Sequence, residues 1–167
     1  MNSSSETPSK SFAHELALAV DAGCLTYRDY IPWADSLIAR FDRPPVWVCE
    51  LSTIKYRPDA LRVIRNFAAS EPFEKFDTSI EEYLGFLWIR YERGELSWAT
   101  YLKEAGEYAD RSNTDIDCEY FYSMLNELEE AEFSASLEDS QNKAVSRRLA
   151  DAIAKANVFY IKIREKS

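Results

Sequence analysis

The sequence predicts an all-α fold, a single-domain bundle of seven to eight helices built from two repeat-like helical units. Apolar residues recur at three- and four-residue spacing almost throughout the chain, the period of a helix buried on one side. Only four glycines and six prolines interrupt its 167 residues, which leaves room for long helices joined by short turns. The chain also matches itself at an offset of 71 residues. Gly23-Cys24-Leu25-Thr26-Tyr27-Arg28-Asp29-Tyr30-Ile31 aligns with Gly94-Glu95-Leu96-Ser97-Trp98-Ala99-Thr100-Tyr101-Leu102, and Ala34 then aligns with Ala105.

Residues 1–11 are polar and Ser-rich and are expected to be a disordered head, so the helical domain spans 12–167. A first helix is expected from Phe12 to Ala22, ended by Gly23 as a left-handed cap. Thr26 with Asp29 resembles a capping box opening the second, which carries Tyr27, Tyr30, Ile31, Ala34 and Leu37 on one face. Pro32 lies inside this pattern and should kink the helix or cut off its first turn. Pro44-Pro45 stops that segment, and Val46 to Ile54 reads as a short apolar helix. Pro58 fits the first turn of the next, whose stripe is Ala60, Leu61, Ile64 and Phe67.

In the second half, Thr78 with Glu81 is expected to cap a helix running to Gly94, and Ser97 caps one carrying Trp98, Tyr101, Leu102 and Ala105. Thr114 with Asp117 opens another through Cys118, Phe121, Leu125 and Leu128. A polar connector, Glu138 to Lys143, leads to a final helix from Ala144 to Lys162. The β-branched and aromatic end, Val158 to Ile163, leaves a terminal strand as the alternative. The two units are therefore expected at about 12–70 and 78–163. Each repeated position has a packing role: the Gly ends a helix, the Leu packs the turn, the hydroxyl caps the next helix, and the aromatic, Tyr and Ala form its buried stripe.

The composition is that of a folded chain, 46% hydrophobic with 14% aromatic residues. Three scattered cysteines, Cys24, Cys49 and Cys118, without a C-x-x-C pair, suit a reducing compartment. The polar start lacks the apolar core of a signal peptide, and no apolar run approaches the length of a membrane span, so a cytoplasmic protein with no membrane partner is expected. The net charge of −9 argues against nucleic acid as a partner and favours a basic protein.

Sites for chemistry are scarce. His14 is the only histidine, near the start of the first helix. Cys49 and Cys118 stand beside apolar residues and read as core, and Cys24 follows a helix end whose dipole would raise its pKa. Glycine-rich phosphate loops and metal-ligand motifs are absent. No catalytic residue, metal or cofactor is assigned, and a binding protein is expected rather than an enzyme.

The charge is not spread evenly. Between Glu104 and Asp139 the chain carries twelve acids, and Arg111 is the only base. Helical phasing turns Glu119, Glu127 and Glu130 away from the stripe of Phe121, Leu125 and Leu128. Glu104, Glu107 and Asp110 likewise turn away from Trp98, Tyr101 and Ala105. If the two helices are antiparallel neighbours, these six carboxylates merge into one acidic face that would bind a basic partner. The alternative is an ordinary solvated face, partly screened by Lys143, Arg147, Arg148 and Lys155.

The repeated G-x-L-[ST]-x-x-x-Y pattern, with the small size and acidity, resembles small acidic bacterial helical proteins of uncharacterised-domain type. Some of these accompany polymorphic or contact-dependent toxins and are taken to be immunity proteins. The resemblance covers Gly23 to Ala34 and Gly94 to Ala105, which are caps and core, so it transfers no functional residue. It implies an inhibitor that blocks a basic, nuclease-type toxin, with Glu119, Glu127 and Glu130 standing in for phosphates. A structural or adaptor module without enzymatic activity is the competing expectation.

Overall fold

The computed structural model describes residues 6–76, 80–112 and 116–165. Within them the protein is all-α. The helices are α1 (Lys10–Asp21), α2 (Tyr27–Ile38), α3 (Val46–Leu51), α4 (Arg57–Ala68), α5 (Ile80–Glu92), α6 (Trp98–Arg111), α7 (Cys118–Glu130), α8 (Ala135–Arg148) and α9 (Ala150–Glu165). Contacts group the chain into two compact units, Met1–Asp77 with Val158–Ser167, and Thr78–Asn157. The last turns of α9 thus group with the first unit, whereas the sequence repeat places them with the second.

Local signals account for most helix ends. Ser9 caps α1, its hydroxyl accepting from Phe12 N at 3.1 Å, so the helix starts at Lys10 rather than Phe12. Thr26 and Asp29 form a complete capping box on α2, and Ser97 caps α6. Pro32 does not divide α2, which runs unbroken from Tyr27 to Ile38. Asp117 caps α7 by accepting from Glu119 N. Thr78 and Thr114 lie outside the described residues.

Nine helices occur among the described residues because the C-terminal region divides differently from its sequence pattern. The polar stretch 138–143 is not a connector but the middle of α8. Gln141 makes it so: its side chain is buried, its amide accepts from Trp98 Nε1 at 3.0 Å and donates to Met124 O at 2.9 Å. A polar residue with both groups bonded can occupy a core position that a hydrophobic pattern cannot reveal. The break falls at Leu149, and α9 then buries Ala152, Ala156, Phe159 and Ile163 at helical spacing. That stripe makes 158–163 helical despite its β-branched residues.

The repeat is real as local geometry. Gly23 and Gly94 adopt φ of 74° and 73°. In each turn the glycine N–H bonds the carbonyl three residues back, Gly23 to Val20 and Gly94 to Tyr91. The following N–H reaches five residues back, Cys24 to Ala19 and Glu95 to Arg90, completing the Schellman arrangement twice. Leu25 and Leu96, Tyr30 and Tyr101, and Ala34 and Ala105 are all buried. The first aromatic breaks the match: Trp98 is 1% exposed but Tyr27 is 36% exposed. Helix pairing diverges too. In the first unit α1 packs most closely on α4, with α2 on α3, whereas in the second α6 packs most closely on α7.

Candidate docking surface on α6 and α7

The acidic stretch belongs to the second unit. The first unit holds twelve bases and twelve acids, the second eight bases and seventeen acids, so the whole excess of −9 falls in the second. Two contacts set its closest helix pair. Cys118 Sγ lies 3.9 Å from Asp110 Oδ1, and four residues further in, the ring of Tyr122 lies over Gly106. One helix is thus read upward as the other is read downward, which makes α6 and α7 antiparallel.

Gly106 allows this approach. A Cβ placed there would stand 2.8 Å from Tyr122 Cδ1, closer than atoms pack. Glycine in a helix interior is otherwise unfavourable, so its presence at 106 reflects packing. Gly106 and Tyr122 are not among the residues assigned from sequence, although an isolated glycine within an apolar helical stripe was a legible signal.

The packed pair brings together three of the six expected carboxylates. Tyr122 has its pKa raised, first by desolvation, then by the charges of Asp110, Glu107 and Glu119 and by Cys118. The thiol of Cys118 is raised as well, by desolvation, by its hydrogen bond to Asp117, and by Asp117, Asp110 and Glu119. Cys118 is therefore not the apolar core residue its neighbours in sequence imply, but a partly exposed thiol set among carboxylates, an environment that disfavours the thiolate.

The other three stand apart. Glu104 is half-buried and lies 3.7 Å from Arg90 Nη1, which makes it part of an ion-pair group with Glu95. Glu127 and Glu130 are exposed two to three turns along α7, near its C-terminal end. Glu129 and Glu132 adjoin them, and the last turn of α7 holds no base. Carboxylates there face the negative end of the helix dipole, each at a cost of about 0.3–1 kcal/mol. The chain turns out of α7 through Glu132 and Phe133 at φ 53° and 58°, with Phe133 exposed.

Several cations near this surface have defined partners. Lys143 bonds Asp139 on its own helix at 2.7 Å, and Lys155 acts on Glu82, whose pKa is raised by burial against that charge. Arg148 sits 4.4 Å above the ring of Tyr120. Lys103 lies 3.9 Å from Glu107, an exposed pair worth little.

No family model, curated protein or solved structure matches this chain. Among the described residues, no group of three His, Cys, Asp or Glu is arranged to hold a metal ion. None of the described helices is long and apolar enough to cross a membrane.

Proposed function

We propose that this chain is a protein-binding inhibitor that docks a basic partner through the carboxylates of α6 and α7. An immunity protein neutralising a basic, nuclease-type toxin in the cytoplasm is the specific form of this reading. The observation that carries it is the concentration of the entire −9 excess in one unit, including acids at the C-terminal end of α7 where the helix disfavours them. Charge retained against a structural cost is expected at sites that serve association. Glu107, Asp110 and Glu119 would steer the partner, since clustered charge of one sign raises association rates more than it deepens affinity.

The test is capture from the source cell's lysate by the wild type and by a Glu107→Lys, Asp110→Lys, Glu119→Lys variant that circular dichroism shows to be helical. A basic protein retained by the wild type, lost by the variant and released by added salt supports the reading. Equal retention by both proteins refutes a docking role for these carboxylates. A second reading, a structural adaptor, is favoured by exposed Val158 and Ile161 on one stripe of α9. It predicts association that survives salt and is lost with Ile161→Lys.

A further inference from the structure

Lys10 and His14 stand one helical turn apart on α1, and both hold the segment that follows α4. Lys10 is buried, and its ammonium donates to the carbonyl oxygens of Ser70, at 2.6 Å, and Pro72. The imidazole of His14 stacks on Phe76 with ring centroids 4.9 Å apart and planes 10° from parallel. The segment 70–76 is thus pinned to α1 at both ends, and beyond Asp77 the chain enters the second unit.

The two pins differ in chemistry. Lys10 holds the segment by hydrogen bonds to two backbone carbonyl oxygens, whereas His14 holds it by a ring stack, and an imidazole is a group that titrates near neutral pH. His14 Nε2 is buried and has no hydrogen-bond partner. The neutral ring tolerates this with its proton on Nδ1, but the imidazolium carries protons on both nitrogens and would bury a donor without an acceptor. Burial, then the charge of Arg65, lowers the pKa of His14. Arg65 comes from α4 and lies 3.2 Å from Asp21 at the end of α1, which only partly offsets it. The face of Phe76 would attract an imidazolium, but it offers Nε2 no acceptor.

Other charged groups stand on the surrounding elements and in the strap itself. On α1 these are Lys10 and Glu15. On α4, Asp59 and Arg62 pair at 3.4 Å. Glu71, Glu74 and Lys75 of the segment are exposed, and Lys162 of α9 lies over Phe12. None of these is bonded to the imidazole.

We propose that residues 73–76 form a pH-sensitive strap, held on α1 by neutral His14 through Phe76 and released when His14 is protonated, while Lys10 keeps Ser70 to Pro72 in place. Acidification then frees the stretch of chain leading to the second unit without unfolding α1 or α4.

Because His14 is the only histidine, its ring resonances report its titration without overlap. The experiment follows them from about pH 7.5 to about pH 4.5 together with the ring resonances of Phe76, which the stacked imidazole shifts. The wild type should titrate below 6.5, the ordinary histidine value, and the nuclear Overhauser contact between the His14 and Phe76 rings should be lost through the same midpoint. Phe76→Ala should move the midpoint up towards 6.5 by uncovering the ring. His14→Phe, which keeps a stacking ring but cannot titrate, should hold the strap at every pH. A wild-type midpoint at or above 6.5, an unmoved midpoint in Phe76→Ala, or the same pH-dependent shift of the Phe76 ring in His14→Phe would each overturn the strap.

Discussion

The ring of Tyr122 occupies the space that a side chain at residue 106 would need, and this pair fixes how closely α6 and α7 approach. It ties the acidic surface to a packing detail: the pKa of the same tyrosine that fills the notch is raised by burial and then by the charges of Asp110, Glu107 and Glu119. A change at Gly106 should therefore disturb both the stability of the second unit and the arrangement of its carboxylates.

Gly106→Ala pits two effects against each other. Alanine favours a helix interior by about 1 kcal/mol, but the added methyl meets Tyr122, and overpacking costs about 1–3 kcal/mol. We expect net destabilisation in the wild type and stabilisation in a Tyr122→Ala background. Urea unfolding of the four proteins in the cycle measures the sign change.

Gly94 makes a cleaner backbone test. Nothing lies within 4 Å of a Cβ placed there, yet its φ of +73° is one that L residues resist. Gly94→Ala should cost about 1 kcal/mol or more, and Gly94→Asn distinctly less, because Asn tolerates the left-handed region. Thermal midpoints of the two variants discriminate this from a packing effect, which would penalise the larger Asn more.

Gln141 joins three helices by bonding Trp98 of α6 and Met124 of α7 from α8. Gln141→Ala leaves a buried indole N–H unpaired, removes a second bond to Met124 O and opens a cavity, a loss of about 2–4 kcal/mol. Exchange protection should fall first in α8, whose remaining buried stripe is short. A variant within 0.5 kcal/mol of wild type, about the size of an ordinary surface change, would mean that the network contributes nothing.

Alkaline stability should report Tyr30. Its hydroxyl donates to Ile54 O, and burial raises its pKa from 10.0 to about 12. A folded-state pKa above the unfolded value gives a contribution that is full below pH 10 and lost as pH rises towards about 12. Tyr30→Phe should therefore be less stable than wild type at neutral pH, by about 1 kcal/mol for the lost hydrogen bond, and the gap should narrow through that window. Parallel denaturation curves with a constant gap would rule the assignment out.

What could be read from the residues in order was what residues close in order decide. Thr26, Ser97 and the two Schellman glycines act within six positions, so the starts of α2 and α6, the turns and the duplicated G-x-L-[ST] geometry follow from local bonding. Periodicity likewise marked Tyr30, Ala34, Tyr101 and Ala105 as core. Three features were beyond it. Gln141 becomes a core residue only when Trp98 and Met124 arrive to satisfy it, which is why α8 looked like a connector. The six carboxylates share a helical phase, but phase cannot say that Arg90 takes Glu104 or that the charges of Asp110, Glu107 and Glu119 act on Tyr122. The repeat fixed equivalent turns and left open that α1 pairs with α4 while α6 pairs with α7. Hydrogen bonds along a helix are local, whereas the partners that bury a side chain or set its charge lie far away in sequence, so only the tertiary structure decides them.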